Sequence, residues 1–230
     1  MKELLCDSMF FGVMISLLTY QLGLYLKRRF QWAILNPLLV SVTAVILVLL
    51  VLKIDYEDYN NGAKYLSYLL TPATVCLAIP LYQQLELLKR NWKAIFAGII
   101  SGVISSLGCV LLLAVLFGFT HEQYVTLLPK SITTAIGMGV SEELGGIVNI
   151  TVAVIIITGI LGNIMAEFVY KVFRIKEPIA KGIGLGSSAH AIGTAKALEL
   201  GEIEGAMSSL SIAVSGLITV IVASVFAQFL

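Results

Sequence analysis

The sequence predicts an all-α, polytopic membrane protein, and two observations carry this prediction. The chain of 230 residues is 58% hydrophobic and only 13% charged, which is about half the charged fraction of a soluble domain. Its charges are separated by long uncharged runs, each exceeding the roughly 18 apolar residues needed to cross a bilayer. These runs are Phe30–Leu52, Ala94–Thr120 and Gly205–Leu230. The pattern excludes a soluble enzyme, a nucleic-acid-binding protein and a disordered chain.

Hydropathy predicts six transmembrane helices in one integral membrane domain that covers residues 1–230. We expect them near residues 5–26, 32–52, 65–86, 94–118, 147–170 and 206–229. Residues 127–146 and 182–200 are too rich in Gly, Ser or Thr for ordinary spans, so we expect interrupted or re-entrant segments there. Both lie in the second half of the chain, residues 121–230, whereas the first half covers residues 1–120.

Basic residues predict the orientation of the helices in the membrane. Lys27, Arg28 and Arg29 follow the first helix, so we expect a cytoplasmic loop there and an N-terminus outside. The basic loop from Lys171 to Lys181 should be cytoplasmic too, but eight simple crossings would place it outside. We therefore favour a hairpin in one interrupted segment, and the alternative is that this loop is an exception to the rule.

A short motif recurs at offsets of about 57 and 56 residues. Its copies are Ala78-Ile79-Pro80 with Glu86, Ala135-Ile136-Gly137 with Glu143, and Ala191-Ile192-Gly193 with Glu199. Each copy precedes a long apolar helix. Internal repeats with interrupted helices are typical of secondary transporters, and the alternative is chance matching among abundant residue types.

The first copy lies in a segment that two prolines interrupt. Pro72 and Pro80 each remove a backbone donor from the helix, and Thr71 or Thr74 could satisfy the carbonyl groups that this frees. These residues are candidates for one wall of a binding site. The alternative is a kinked packing helix.

The second copy combines a predicted helix start with a positive charge. Pro129 suits the first turn of a helix, whose N-terminus would favour an anion, and Lys130 adds a full charge. Three hydroxyl groups follow at Ser131, Thr133 and Thr134. This chemistry suits a carboxylate, whereas the alternative for Lys130 is an interfacial position. Glu143 could accept a coupling proton or could also be interfacial.

The third copy lies in the glycine-rich stretch Gly182–Lys196, which has no nucleotide-binding or nucleophile motif. We expect a flexible glycine entry followed by a helix start. Its candidate residues are Gly184, Gly186, Ser187, Ser188, His190, Gly193 and Thr194. His190 titrates near neutral pH, so it could relay a proton or donate to an anion. The alternative is a satisfied packing histidine.

Together these stretches resemble the LrgB/CidB family of membrane proteins. The motifs that carry the resemblance are Asn36-Pro37-Leu38-Leu39, Leu70-Thr71-Pro72-Ala73-Thr74 through Leu81-Tyr82, Pro129-Lys130-Ser131 with Thr133-Thr134, and Gly184–Ala195. The last motif is the most specific. The resemblance implies an antiholin-like regulator of murein hydrolase export and autolysis in the inner (cytoplasmic) membrane, with a small LrgA/CidA-like membrane protein as partner. Other members of the family are implicated in pyruvate uptake, and plastid relatives carry glycolate and glycerate.

Our leading hypothesis is a secondary transporter, or a transporter subunit, for a small monocarboxylate such as pyruvate, lactate, glycolate or glycerate. The antiholin-like regulator is the alternative. We expect a homo-oligomer without enzymatic activity, cofactor, metal or nucleic-acid partner. The expected substrate-binding residues are Thr71, Pro72, Thr74, Lys130, Ser131, Thr133, Thr134, Ser187, Ser188, His190, Gly193 and Thr194. The candidates for proton coupling are His190 and Glu143, and the structural candidates are Asn36, Pro37, Pro80, Pro129, Gly184 and Gly186.

Overall fold

The structure is a computed structural model that describes residues 10–30, 32 and 35–230, and every regular element within these ranges is helical. The chain divides into two compact units, residues 1–76 and residues 77–230. The helices of the first unit are α1 (Phe11–Phe30), α2 (Pro37–Leu52), α3 (Tyr56–Ser67) and α4 (Leu70–Cys76). Those of the second are α5 (Ala78–Gln83), α6 (Leu85–Phe117), α7 (His121–Leu127), α8 (Thr134–Glu143), α9 (Val148–Val172), α10 (Pro178–Leu200) and α11 (Glu202–Phe226). A short 3₁₀ turn, Ala227–Phe229, follows α11.

The first unit is held together by close helix contacts and paired hydroxyl groups. The side-chain oxygen of Asn36 accepts hydrogen bonds from the backbone N–H groups of Leu38 and Leu39, at 2.9 and 3.3 Å, and Pro37 occupies the first turn of α2. Between α1 and α2, the hydroxyl groups of Thr19 and Ser41 lie 2.9 Å apart. The predicted roles of Asn36 and Pro37 therefore correspond to an N-cap and a helix start.

In the second unit α11 packs along α10 and also contacts α5 and α6, while α9 packs against α10. One apolar cluster joins α6, α7 and α11 through buried residues that include Leu107, Tyr124 and Ala223. Another joins α6, α10 and α11 through Ile99, Ile183 and Met207. These clusters fix the mutual positions of the helices that carry the polar residues discussed below.

Four helical stretches in the described ranges are long and apolar enough to cross a membrane. They are the succession of α3, α4 and α5 (Tyr56–Gln83), α6 (Leu85–Phe117), α9 (Val148–Val172), and α11 with the turn that follows it (Glu202–Phe229). They correspond to four of the six predicted spans. The predicted span at 32–52 corresponds to α2, which has only 16 residues and would measure about 24 Å, less than the roughly 30 Å of a bilayer core. The predicted span at 5–26 lies partly outside the described residues. The structure thus establishes a multi-pass helical membrane protein but does not reach the count of six.

The segment 127–146 contains a helix start that differs from the prediction. Pro129 is buried and lies in a turn after α7, and α8 begins only at Thr134. Thr133 has extended backbone angles (φ −63°, ψ 146°), which place it as the N-cap residue. The prediction that a helix begins at Pro129 was therefore wrong, because residues 128–132 close a turn through hydrogen bonds such as Lys130 N to Leu127 O, 3.2 Å.

The segment 182–200 lies within α10, so the expected glycine entry and helix start there were also wrong. The interruption of α10 falls at His190, whose backbone has φ 43° and ψ −136°. Ser187 and Ser188 precede this interruption and donate to the carbonyl groups of Ile183 and Gly184, four residues earlier. They are therefore mid-helix residues and not N-caps.

The Ala-Ile pair of each motif copy lies in a short helical piece that precedes a long helix. The pieces are α5 before α6, α8 before α9, and the part of α10 after His190 before α11. The breaks between short and long helix fall at Gln84, at residues 144–147 and at Gly201. Glu143 and Glu199 lie before the break, whereas Glu86 lies after it, in α6, so the first copy does not match the other two and the internal repeat stays a prediction.

Candidate functional site

Lys130 and Ser131 lie in the turn between α7 and α8 and contact the middle of α6. The ammonium nitrogen Nζ of Lys130 donates to the hydroxyl oxygens of Ser131, at 3.0 Å, and Ser106, at 3.3 Å. The two hydroxyl oxygens lie 2.9 Å from each other. Ser131 is buried and Lys130 is half-buried. The three side chains, which we call the Lys130 cluster, form a compact group of one cation and two hydroxyls.

The charge of the Lys130 cluster is not balanced by a carboxylate. Among the residues that the structure describes, none brings a carboxylate oxygen within 4.0 Å of the Lys130 nitrogen. Hydroxyl groups supply dipoles but no opposite charge, and a cation held at membrane depth normally faces a cavity or a partner. The Lys130 cluster can therefore accept an anion, with the ammonium group and hydroxyl groups as donors.

Hydrogen bonds made by residues of α7 fix the position of the turn that carries Lys130. Tyr124 is fully buried and its hydroxyl donates to the backbone carbonyl of Phe226, 2.9 Å away. On the other side of α7, Thr126 accepts from the N–H of Ile147 at 2.8 Å, and its carbonyl accepts from the hydroxyl of Thr151 at 2.8 Å. These bonds attach the short helix to α9 and to the C-terminal part of the chain, so the Lys130 turn has a rigid base.

Sequence reasoning missed Ser106, Thr126, Ser141 and Thr151. The buried hydroxyls of Ser141 and Thr151 lie 2.7 Å apart and connect α8 to α9. Ser106 and Thr151 lie within long apolar helices, where a single hydroxyl residue gives little signal. The signal available in the sequence was the frequency of Ser and Thr residues in the helices that pack against the interrupted segment at 127–146.

His190 lies at the interruption of α10 and is only 3% exposed. Its Nε2 lies 2.9 Å from the backbone carbonyl oxygen of Ile155 on α9, and because a carbonyl only accepts, Nε2 is the donor. The imidazole ring packs so closely on Gly159 that a Cβ there would lie 2.7 Å from Cε1. This geometry is that of a packing histidine, which was the alternative to a proton relay. The role of His190 as a proton relay stays a prediction.

The residues after the interruption pack against α11. The hydroxyl of Thr194 donates to the backbone carbonyl of His190 at 3.2 Å and lies 2.7 Å from the hydroxyl of Ser208. A Cβ at Gly193 would lie 2.6 Å from the carbonyl oxygen of Leu185. Gly193 and Thr194 therefore stabilise the interrupted helix, and neither contacts the Lys130 cluster.

A groove of about 570 Å³ runs between α6 and α10. Small side chains line most of it, including Ser101, Ser105 and Ser187, and Asn91 and Glu177 lie at its polar end. Ser187 faces this groove, and Gly184 lines it as well, whereas Ser188 is exposed elsewhere on α10. Ser105 lines the groove and the next residue, Ser106, binds Lys130. Successive residues of a helix point in different directions, and none of the three residues of the Lys130 cluster lines the groove.

The remaining predicted site residues lie on α4 and α5 and at the two ends of α8. Thr71, Pro72 and Thr74 are exposed on α4 in the first unit, and Thr74 donates to the carbonyl of Leu70. Their convergence with Lys130 stays a prediction. In the second unit, Pro80 is half-buried in α5, Glu143 is exposed at the end of α8, and Thr133 and Thr134 are half-buried at its start.

Metal-binding chemistry finds no support in the described part of the chain. No group of three or more His, Cys, Asp or Glu side chains there could hold a metal ion. The two cysteines in the described ranges, Cys76 and Cys109, are free and exposed.

The helix lengths and polar interior define the class of the protein as a multi-pass α-helical membrane protein. The sequence profile of the LrgB-like family matches residues 16–229, so the chain belongs to this family. It is 38% identical over 222 residues to proteins named "Antiholin-like protein LrgB" from Bacillus mycoides (strain KBAB4) and Bacillus cereus (strain B4264), covering 96% of this chain and 96% of each relative. The relative from Bacillus anthracis (strain CDC 684 / NRRL 3495) has the same identity and coverage. No solved structure matches the chain. The family resemblance seen in the motifs is thus confirmed.

Proposed function

We propose that this chain is an antiholin-like regulator of murein hydrolase activity and lysis in the cytoplasmic membrane. The observation that carries the proposal is 38% identity over 96% of the chain to relatives named antiholin-like. A regulator of this kind acts through contact with a partner in the bilayer, for which we propose a small LrgA/CidA-like membrane protein. The exposed apolar faces of the long helices, with residues such as Leu116 and Ile221, offer surfaces for such contact.

Deletion and complementation in the source bacterium test this proposal. We expect a deletion strain to autolyse faster in detergent than the parent strain, and a plasmid copy to restore the parental rate. An unchanged rate of autolysis, with loss of the protein verified by immunoblot, would contradict the regulatory function. Affinity purification in mild detergent should also recover the small partner with the tagged chain.

A second function is supported by the Lys130 cluster, and here we propose transport of small monocarboxylates such as pyruvate, lactate, glycolate or glycerate. A carboxylate beside Lys130 would balance its charge and accept bonds from Ser131 and Ser106. Hydrogen bonds to charged groups contribute about 1.5–3 kcal/mol each. Such a site holds a small anion tightly enough for selection and weakly enough for release.

We propose that a substrate approaches the Lys130 cluster through the groove between α6 and α10. From Asn91 to Ser105 the groove follows α6 over about 21 Å at 1.5 Å per residue. Its small side chains leave space for a ligand, and the polar end at Asn91 and Glu177 suits a mouth at the membrane surface. The last step to Lys130 requires an opening beside Ser106, since none of the three residues of the Lys130 cluster lines the groove.

Uptake of labelled pyruvate and glycolate into proteoliposomes tests the transport function. We expect Lys130→Met to abolish uptake and Lys89→Met, at an exposed position on α6, to leave it unchanged. Absence of uptake by the wild type, with and without the small partner, would exclude transport of these substrates. Equal uptake by the wild type and Lys130→Met would exclude the Lys130 cluster as the site.

The same Lys130→Met variant separates the two functions in cells. If regulation is independent of transport, the variant restores normal autolysis in the deletion strain although uptake is lost. If lysis is a consequence of transport, the variant fails to restore it. Lys89→Met should complement in both cases.

A further inference from the structure

A second cavity lies where α9 ends and α10 begins, outside the groove and the Lys130 cluster. It has a volume of about 390 Å³. Four basic side chains line it, from Lys171, Arg174, Lys176 and Lys181. In the sequence these residues predict only the orientation of the helices, and neither proposed function depends on them. We call this site the basic cavity.

The four basic side chains of the basic cavity form no ion pair within the described part of the chain. None of its four cations lies within 4.0 Å of a carboxylate oxygen there. The acidic side chain that lines the cavity is Glu167, and it pairs with Lys196 at 2.5 Å. Lys196 is mostly buried and does not line the cavity, so Glu167 pairs with a residue other than the four basic side chains. The cavity therefore attracts anions.

Arg174, which lines the basic cavity, has an uncommon backbone conformation for a residue other than glycine. Arg174 has φ 54°, a left-handed conformation that favours glycine. It ends α9 in a Schellman motif, in which the N–H of Ile175 donates to the carbonyl of Tyr170 at 2.8 Å and that of Arg174 to the carbonyl of Lys171 at 3.3 Å. Glycine is the usual residue at this position. Lys53 ends α2 with the same left-handed conformation, φ 51°, so this geometry does not by itself mark a binding site, but it makes Arg174→Gly a mild change for the backbone.

The walls of the basic cavity are fixed before any ligand arrives. The hydroxyl of Tyr170, on α9, donates to the backbone carbonyl of Lys181, on α10, at 2.7 Å. Together with the turn at Arg174, this bond holds the ends of the two helices at a set separation. The four basic side chains therefore surround a preformed space.

Two exposed aromatic side chains lie in the same stretch of chain as the residues that line the basic cavity. Phe168 is 65% exposed and Phe173 is 72% exposed, and both lie in the last turns of α9 or just after it, at the end of a candidate membrane span. A ligand that fits both surfaces has an anionic head and an apolar tail. We propose that the basic cavity binds the phosphate headgroup of an anionic phospholipid, with the acyl chains against Phe168 and Phe173.

Binding of phosphatidylglycerol to the purified protein in detergent tests this proposal, measured by native mass spectrometry. We expect phosphatidylglycerol to bind more tightly than phosphatidylcholine with the same chains. Each basic residue near an anionic surface contributes enough for about a fivefold change in affinity. Arg174→Gly suits the left-handed backbone and should fold normally, and combined with Lys181→Gln it should weaken binding about 25-fold.

The control is the pair Lys89→Gln and Arg90→Gln, which removes the same charge from exposed positions on α6 and should leave affinity unchanged. Equal binding by the wild type and the Arg174/Lys181 double variant would overturn the proposal, as would an equal loss in the control pair. Inorganic phosphate at the same concentration should not displace the lipid. Full displacement by phosphate would overturn the assignment to a lipid and assign the cavity to a soluble anion.

Discussion

The imidazole Nε2 of His190 donates to the backbone carbonyl of Ile155 at 2.9 Å. This bond connects α10, at its interruption, to α9. The interruption leaves α10 without a continuous hydrogen-bond ladder at a position with positive φ. A side-chain bond to the neighbouring helix replaces part of what is lost. The interrupted helix is therefore held by α9 as well as by its own backbone.

Replacing His190 with Ala should destabilise the protein substantially. The change removes the bond to Ile155 and leaves a cavity beside Gly159, and buried truncations of this size cost about 2–5 kcal/mol. We expect a lower thermal unfolding temperature in detergent, measured by intrinsic fluorescence. His121→Ala is the control, since His121 is exposed and contacts only the carbonyl of Leu230 among the contacts described. Similar unfolding temperatures for both variants would contradict the packing role.

Gly186 and Gly184 should differ sharply in their tolerance of a methyl group. A Cβ at Gly186 would contact the backbone carbonyl of Ser208 on α11, which cannot move without separating the helices, whereas at Gly184 the nearest atom is the Tyr170 hydroxyl at 3.9 Å. We expect Gly186→Ala to cost about 1–3 kcal/mol and Gly184→Ala to be neutral or stabilising. Unfolding temperatures of both variants provide the measurement, and equal values would show that α10 and α11 are not so closely packed.

The hydroxyl pair of Ser141 and Thr151 should behave as a unit. Thr151→Val removes the donor to the carbonyl of Thr126 and leaves the buried hydroxyl of Ser141 without its partner, at a cost of about 1–3 kcal/mol. Adding Ser141→Ala removes the orphaned group, so the double variant should lose less stability than the sum of the two single variants. A double-mutant cycle on unfolding temperature measures this coupling. Strict additivity would rule it out.

Lys130→Met should preserve or raise the stability of the fold. Lys130 donates to two hydroxyls that also bond to each other, and no carboxylate in the described residues would lose a partner. Removing a partly buried charge also removes its desolvation cost. We expect an unfolding temperature equal to or above that of the wild type, measured beside the uptake assay. A large loss of stability would mean that Lys130 has a structural role.

Composition and periodicity predict the helical class and the four longest spans because burial in lipid demands long apolar segments. The same reasoning fails where backbone geometry depends on tertiary contacts. Pro129 lies in a turn and not in a helix, and α8 begins only after Thr133, which occupies the N-cap position without a side-chain capping bond. The interruption in α10 falls at His190 and not at the glycines, because α9 supplies the carbonyl of Ile155.

The candidate site was predicted only as far as single residues carry unusual chemistry. Lys130 and Ser131 are conspicuous in an apolar stretch, and the structure places them together. Their partner Ser106 comes from a helix 24 residues earlier, and nothing in one sequence links the two. Small hydroxyl residues become informative only when packing brings them to one point.

The length of α6 has a consequence for the whole protein. Its 33 residues extend about 50 Å, far beyond a hydrocarbon core of about 30 Å. The uncharged part, Ala94–Phe117, still measures about 36 Å, so we expect it to tilt in the membrane or to thicken the surrounding bilayer. Ser106 is fixed on this helix and moves with it. We therefore expect a change in membrane thickness to change the tilt of α6 and, through Ser106, the position of Lys130.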